Sequence, residues 1–257
     1  TYGGKRSDDL LEGWKREERV DRVERAERVE RVERAEGDER VEEAEGGARR
    51  IATSWTDPGT GLVLRWEALR FDDVQALDWV LTFENRGTAD TPLIEDVRSL
   101  DLSWTSPLAG SAPYWLHRTN GAPSDPTDYE VAKLAVDARS PRVLGGGGGR
   151  SSNKDLPFFK IEAGNGSFIV AVGWSGQWEA RFECPDGRSL RLAAGLEKTR
   201  FFLRPGERVR SPRMLVLHSE GDTLEANARF RRLIYERYAA RRGGKRLLPT
   251  LFSNTCF

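Results

Sequence analysis

Two tryptophans four residues apart, Trp174 and Trp178, flank a Ser-Gly turn in the segment Gly173-Trp174-Ser175-Gly176-Gln177-Trp178. An indole face packs on the apolar face of a pyranose ring much as it packs on aliphatic groups, so sugar stacking is one chemistry open to this pair. The plainer alternative is that both rings anchor a core. A second set of candidates lies in the polar stretch 114–156, where His117, Arg118, Asn120, Asp125 and Asp128 follow closely, all of them groups that hydrogen-bond hydroxyls. A third lies further on in that stretch, where Gly145 to Gly149 precede Arg150-Ser151-Ser152-Asn153. Five glycines permit a phosphate cradle, but no Lys-Ser/Thr pair follows and no βαβ pattern surrounds them. The expectation is a loop tip that brings Arg150 and Asn153 to a cleft.

Other chemistries find little support. His117 and His218 are far apart without ligand spacing, so no metal is expected. Cys184 and Cys256 do not make a disulfide framework and are expected as structural thiols, which mildly favours the cytoplasm. No cofactor motif is evident. Lys plus Arg and Asp plus Glu both number 41, so no net field calls for a nucleic-acid partner. No apolar run is long enough to span a membrane. With Thr1 in place of Met and an end in mid-pattern at Phe257, the chain is expected to be a piece of a longer one, any signal peptide out of view.

The elements that would hold these residues are strands. From Ile169 to Leu217, short runs rich in Val, Leu, Ile and Phe alternate with the turn signals Ser-Gly, Pro-Asp-Gly and Pro-Gly. That spacing marks consecutive antiparallel strands of a sandwich or barrel. The pattern begins at Ile51. The turn Asp57-Pro58-Gly59-Thr60-Gly61 leads into a strand over 62–68, a second covers 76–84, and a third is expected over 92–104. In the second, Leu77, Trp79, Leu81 and Phe83 share one face. After Leu217 the period turns helical from about 222 to 240, with Gly243-Gly244 as its stop.

Residues 19–45 stand apart. Val20, Val23, Ala26, Val29, Val32 and Ala35 recur every three residues with Glu and Arg between them. A period of three drifts around a helix and never builds one apolar face. The pairs Glu24–Arg28, Glu27–Arg31 and Glu30–Arg34 are in the favourable i,i+4 order. The segment is expected to be a solvated, lone helix within a functionally idle insertion.

In order along the chain, TYGGKRSDDLL, TSWTDPGTGLVLRWE, DWVLTFENRGTADTPLIEDV, LHRTNGAPSDPTDYE, GGRSSNKDLPFF, VGWSGQWEARF, AGLEKTRFFLRPGERVRSPRMLVL and the terminal SNTCF resemble the N-terminal part of bacterial glycoside hydrolase family 36, the α-galactosidases. The resemblance covers nearly the whole chain except the 19–45 repeat. It implies a mainly β fold: a large antiparallel β-supersandwich over 1–219, a linker helix over 220–245 and, from 246, the start of a (β/α)8 barrel whose first strand is 251–257. It also implies a retaining glycosidase acting on terminal α-galactosides, whose two catalytic aspartates, roughly 5–5.5 Å apart, sit on barrel strand ends beyond Phe257. No catalytic residue is therefore expected here. The resemblance makes this domain a wall of the substrate cleft and part of an oligomer interface, with Trp174, Trp178, Arg150, Asn153, His117 and Asp128 as substrate-binding candidates. Asn254 is a further candidate, although Cys256 stands where the family has a tryptophan. Two readings remain beside it: a stand-alone carbohydrate-binding sandwich, and a purely structural scaffold.

Overall fold

The computed structural model of the protein describes residues 1–23, 48–105, 114–163, 166–221 and 223–248. A one-turn helix, α1 (Ser7–Leu10), precedes a first run of strands: β1 (Lys15–Val23), β2 (Ala48–Thr56), β3 (Leu62–Phe71), β4 (Ala76–Asn85), β5 (Ile94–Glu95) and β6 (Arg98–Thr105). Then come β7 (Tyr114–Thr119), β8 (Val131–Val136), β9 (Arg142–Gly145), β10 (Phe158–Ala163), β11 (Gly166–Gly173), β12 (Trp178–Glu183) and β13 (Ser189–Leu196). The chain continues through β14 (Arg200–Phe201), β15 (Arg208–Arg210), β16 (Arg213–Glu220) and the helix α2 (Thr223–Leu233), and closes with the two-residue strands β17 (Arg241–Arg242) and β18 (Lys245–Arg246).

Ten strands form one antiparallel sheet in the order β1-β2-β3-β4-β16-β11-β10-β7-β8, with β15 also on β4. Four form a second sheet, β6-β13-β12-β9. Period-two alternation explains how they pack. In β4, Leu77 and Trp79 turn toward the small sheet, while Ala76 turns to the opposite face. The space between the sheets is filled by Trp79, Leu116, Phe159, Ile161, Val170 and Met214 from the large sheet and by Leu144, Trp178, Phe182 and Leu192 from the small one. The outer face of the large sheet buries Phe71, Ala76, Ile169 and Leu217 under Ala226 and Leu233 of α2. The large sheet is thus covered on both faces, and the mainly β sandwich expected from the sequence is the fold observed.

The turns carry the chemistry their residues predicted. Asp57 holds the β2–β3 turn by accepting from Gly59 N at 2.9 Å and from Thr60 Oγ1 at 2.6 Å. Asp186 does the same between β12 and β13, accepting from Arg188 N at 2.8 Å and Ser189 N at 2.6 Å. Those amide donors, that of Ser189 foremost, hold its carboxyl down at about 2.

Four expectations change. Residues 19–23 belong to β1, not to a helix; β1 pairs with β2 from Lys15↔Thr56 to Val23↔Ala48. Charged Glu and Arg are well tolerated on such an outer strand. The rest of the repeat, 24–47, lies outside the described residues. The strand expected over 92–104 is two strands, because the backbone breaks at Asp96, whose φ is 50°. The stretch 114–156 is not continuous loop: β7, β8 and β9 run through it. The helix ends at Tyr238 after a single π-turn over Ile234–Tyr238, and Gly243-Gly244 instead form the turn of the β17–β18 hairpin, with φ values of 55° and 69°. The first barrel strand, Asn254 and Cys256 also lie outside the described residues.

Candidate functional site

Three loops meet at one end of the sandwich: 120–130 between β7 and β8, 146–157 between β9 and β10, and 174–177 between β11 and β12. The glycine-rich loop holds them together. Gly147, Gly148 and Gly149 have φ of 75°, 58° and 76°, a left-handed run that only successive glycines adopt without strain. The loop folds back on itself through Lys154 N to Gly146 O at 2.6 Å and Arg150 N to Gly147 O at 3.1 Å. It reaches the tryptophan turn through Gly149 N to Gln177 Oε1 at 2.8 Å and through Trp178 Nε1 to Ser151 O at 2.6 Å. It reaches the polar loop through Gly121 N to Lys154 O at 2.8 Å and Ala122 N to Ser152 O at 2.9 Å. A Cβ on Gly121 would stand 2.1 Å from Ser152 O, so no other residue fits there without displacing the loop.

The seam is fastened by one buried acid that the sequence did not single out. Asp155 is 2% exposed. Its Oδ1 accepts from Arg118 Nη1 at 3.1 Å and its Oδ2 from Gly145 N at 3.0 Å. Arg118 also donates to Asn120 Oδ1. A buried carboxylate is stable only with such partners. Its signal in the sequence was weak: a lone Asp between Lys154 and Leu156, with its arginine 37 residues away. Gln177 and the Ser151 carbonyl were missed in the same way.

Of the expected site residues, the structure brings Arg150, Asn153 and Trp174 to this end. Arg150 is exposed at the loop tip, and Asn153 and Trp174 are half-buried. The Arg210 guanidinium lies 5.7 Å from the centre of the Trp174 ring. Trp178 is not a wall residue: it has 0% exposure and stacks on Phe159 at 6.3 Å between the sheets. No ligand can reach it, and it acts on the site only through Ser151. Asp128 reaches the same end on the polar loop, but its carboxylate accepts from Ser124 N at 3.2 Å and Asp125 N at 3.1 Å within its own turn. Asp125 is likewise bonded to Thr127, through the amide at 2.9 Å and the hydroxyl at 2.7 Å. The cluster therefore offers donors and a ring face for hydroxyls, while its aspartates Asp125, Asp128 and Asp155 are engaged.

His117 is elsewhere. Its neighbour Leu116 points into the core, so His117 faces outward, into an open groove of about 760 Å³ between the sheet and α2 that Phe158, Lys160, Asn227 and Arg231 also line. Its Nε2 lies 2.9 Å from Glu162 Oε1, and Lys133 Nζ meets the other oxygen at 2.8 Å. Burial lowers the His117 pKa below its ordinary 6.5, and Glu162 opposes that shift without cancelling it. Cys184 is buried, and burial raises its thiol, as for a structural cysteine. Among the described residues no group of His, Cys, Asp and Glu could hold a metal, and no helix is long and apolar enough to cross a membrane.

No protein-family model matches the chain, and no curated protein matches it. Solved structures do. The chain is similar to a GH36 α-galactosidase, AgaA from Geobacillus stearothermophilus solved with raffinose, with a TM-score of 0.65 at 17% identity over 88% of this chain. It is similar to the α-galactosidase from Lactobacillus brevis, with a TM-score of 0.67 at 13% identity over 86% of the chain. The galactosidase domain of the α-galactosidase-sucrose kinase AgaSK gives 0.60 at 16% over 81%. The chain spans only 30%, 29% and 28% of those three proteins. At such identities the likeness establishes the fold: this is the β-sandwich found in GH36 α-galactosidases.

Proposed function

We propose that the chain is the N-terminal β-supersandwich domain of an α-galactosidase-like retaining glycoside hydrolase acting on terminal α-galactosides. Its loop cluster forms one wall of the substrate cleft, with Arg150, Asn153 and Trp174 facing the oligosaccharide. The catalytic aspartates belong to a barrel that α2 leads into, and the domain contributes to an oligomer interface. The observation that carries this reading is the fold likeness, which takes in most of this chain and less than a third of each enzyme. The loop cluster agrees with it, since it can bind hydroxyls while Asp125, Asp128 and Asp155 are all engaged. The test is the coding sequence that continues past Phe257. A barrel with two aspartates on strand ends, in a product that hydrolyses a chromogenic α-galactoside, is the expected result. A continuation of another fold overturns the reading.

The second reading, a carbohydrate-binding sandwich without catalysis, is favoured by the exposed Arg150 and the half-buried Trp174, carried on two loops that the Gly149 N–Gln177 Oε1 bond joins. Calorimetry with galactose and raffinose separates the two. Binding at Arg150 and Trp174 by a protein that leaves raffinose unhydrolysed supports the second.

A further inference from the structure

A cleft of about 500 Å³ lies between the N-terminal segment and the inner face of β2, β3 and β4. That volume is in the range of small-molecule sites, about 300–1,000 Å³. Its wall is aromatic. Trp14, just before β1, Trp55 on β2 and Trp66 on β3 all line it, and all three are half-buried. Trp14 is braced edge-to-face by Tyr2 at 5.7 Å, and the Tyr2 hydroxyl is itself pinned 2.7 Å from Thr60 Oγ1.

The polar groups of this cleft divide sharply. Glu95 is paired with Arg200 at 3.1 Å, Arg16 with Glu18 at 2.8 Å, and Arg98 with the Leu196 carbonyl at 3.0 Å and Glu179 at 3.5 Å. Asp96, exposed at the rim, has no hydrogen bond or ion pair through its carboxylate among the described residues, although its amide is fixed to Thr199 O at 3.1 Å. The indole N–H groups of Trp14, Trp55 and Trp66 donate to no described residue either, and none of the three is sealed from solvent. Core tryptophans behave differently: Trp79 gives its N–H to Ser99 O at 2.8 Å and Trp178 to Ser151 O at 2.6 Å. The cleft is therefore lined by flat apolar faces, by three indoles with uncommitted N–H groups, by the Thr53 hydroxyl, which has no hydrogen bond to a described residue either, and by one carboxylate without a described partner.

A purely apolar ligand would strip water from those donors and from Asp96 and return nothing, which is costly. An anion would meet Asp96. A neutral ring with one C–H face, hydroxyls to donate and ether or hydroxyl oxygens to accept satisfies every group at once. We propose that this cleft is a saccharide-binding site, in which Trp14, Trp55 and Trp66 supply the faces and donors and Asp96 accepts from hydroxyls. It uses no residue of the glycine-rich loop and stands independently of the α-galactosidase reading.

The test is titration of the 257-residue chain with methyl α-D-galactopyranoside, methyl α-D-glucopyranoside and raffinose, following the indole N–H signals by NMR. The signals are assigned with Trp→Phe variants. Shifts confined to Trp14, Trp55 and Trp66 are expected, with affinity falling about tenfold in Asp96→Asn, as for loss of a charged hydrogen bond. Asparagine also tolerates positive φ, so this variant is expected to retain the parent melting temperature. Absence of shifts with all three sugars overturns the proposal. So does binding unchanged by Asp96→Asn, or anilinonaphthalene sulfonate seated against these indoles and not displaced by sugar. Binding that falls with Arg150→Ala but not with Asp96→Asn overturns the cleft while supporting the loop cluster.

Discussion

Trp178 Nε1 donates to the carbonyl of Ser151 at 2.6 Å, which ties a side chain with no solvent exposure to a loop whose next-door residue, Arg150, is exposed. The core and the loop tip are thus one mechanical unit. Trp178→Phe keeps most of the volume and deletes this bond. The expected cost is about 1–3 kcal/mol, from a lost hydrogen bond and a small cavity. Urea unfolding measures it, and amide exchange across 147–154 should accelerate. Unchanged exchange there would separate the loop from the core.

Asp155 is the fastening of the loop seam. Asp155→Ala leaves Arg118 without its carboxylate and Gly145 N without an acceptor. A broken buried pair costs about 3–5 kcal/mol. Asp155→Asn, which keeps one acceptor, should cost clearly less. Equal losses in the two variants would mean that the charge, not the geometry, holds the seam.

The end of the helical segment is held from the sheet. Asp78, with a side chain only 2% exposed, accepts from Arg213 Nη1 at 3.1 and 3.0 Å and from the Tyr238 hydroxyl. Burial raises the Asp78 carboxyl above its usual value, with Arg213 and Tyr238 opposing, and burial with the Asp78 charge raises the Tyr238 phenol. A raised carboxyl favours the folded state most below the ordinary value of 3.8. That contribution is lost as pH rises through the folded value. Tyr238→Phe removes one counterweight, so it should cost about 1.5–3 kcal/mol at neutral pH and less in acid. Thermal melts of both proteins across pH 4–8 test the sign.

His117 gives the opposite slope. Its pKa is lowered by burial below 6.5, so the native state binds its proton less readily than the unfolded chain. Its contribution is fully present above 6.5 and is lost as pH falls from there through the lowered folded value. Glu162, Lys160, Lys133 and Arg231 around the groove set how far down that window reaches. His117→Gln should flatten the stability profile on the acid side of neutrality. A profile of unchanged slope would show that His117 titrates as it does in the unfolded chain.

Much of this architecture is legible in the sequence for a physical reason. Strands such as β4 and β12 announce themselves by alternation, because one face must be apolar and the turns must contain Asp, Asn or Gly. β1 does not: its Val, Glu and Arg triplets fit a helix as well as an outer strand, and only the pairing of Lys15 to Val23 with β2 decides between them. The candidate site was half legible. Arg150, Asn153 and Trp174 lie where a glycine-rich loop and a Ser-Gly turn would put them. Trp178 could not be told from Trp174 by spacing, since both pack on the same core and differ only in depth, Trp178 sealed between the sheets and Trp174 half-buried in the loop before it. The acid that joins the loops, Asp155, acts through a contact 37 residues distant, and local sequence carries no trace of such a contact.

The most direct test of the central claim is hydrolysis of p-nitrophenyl α-D-galactopyranoside, measured on the 257-residue chain and on the product of the coding sequence that continues past Phe257. The expected result is no release of p-nitrophenol above the blank by the chain alone and steady turnover by the longer protein. Turnover by the chain alone, or none by the longer protein, would contradict the assignment of this sandwich as the non-catalytic wall of an α-galactosidase-like enzyme.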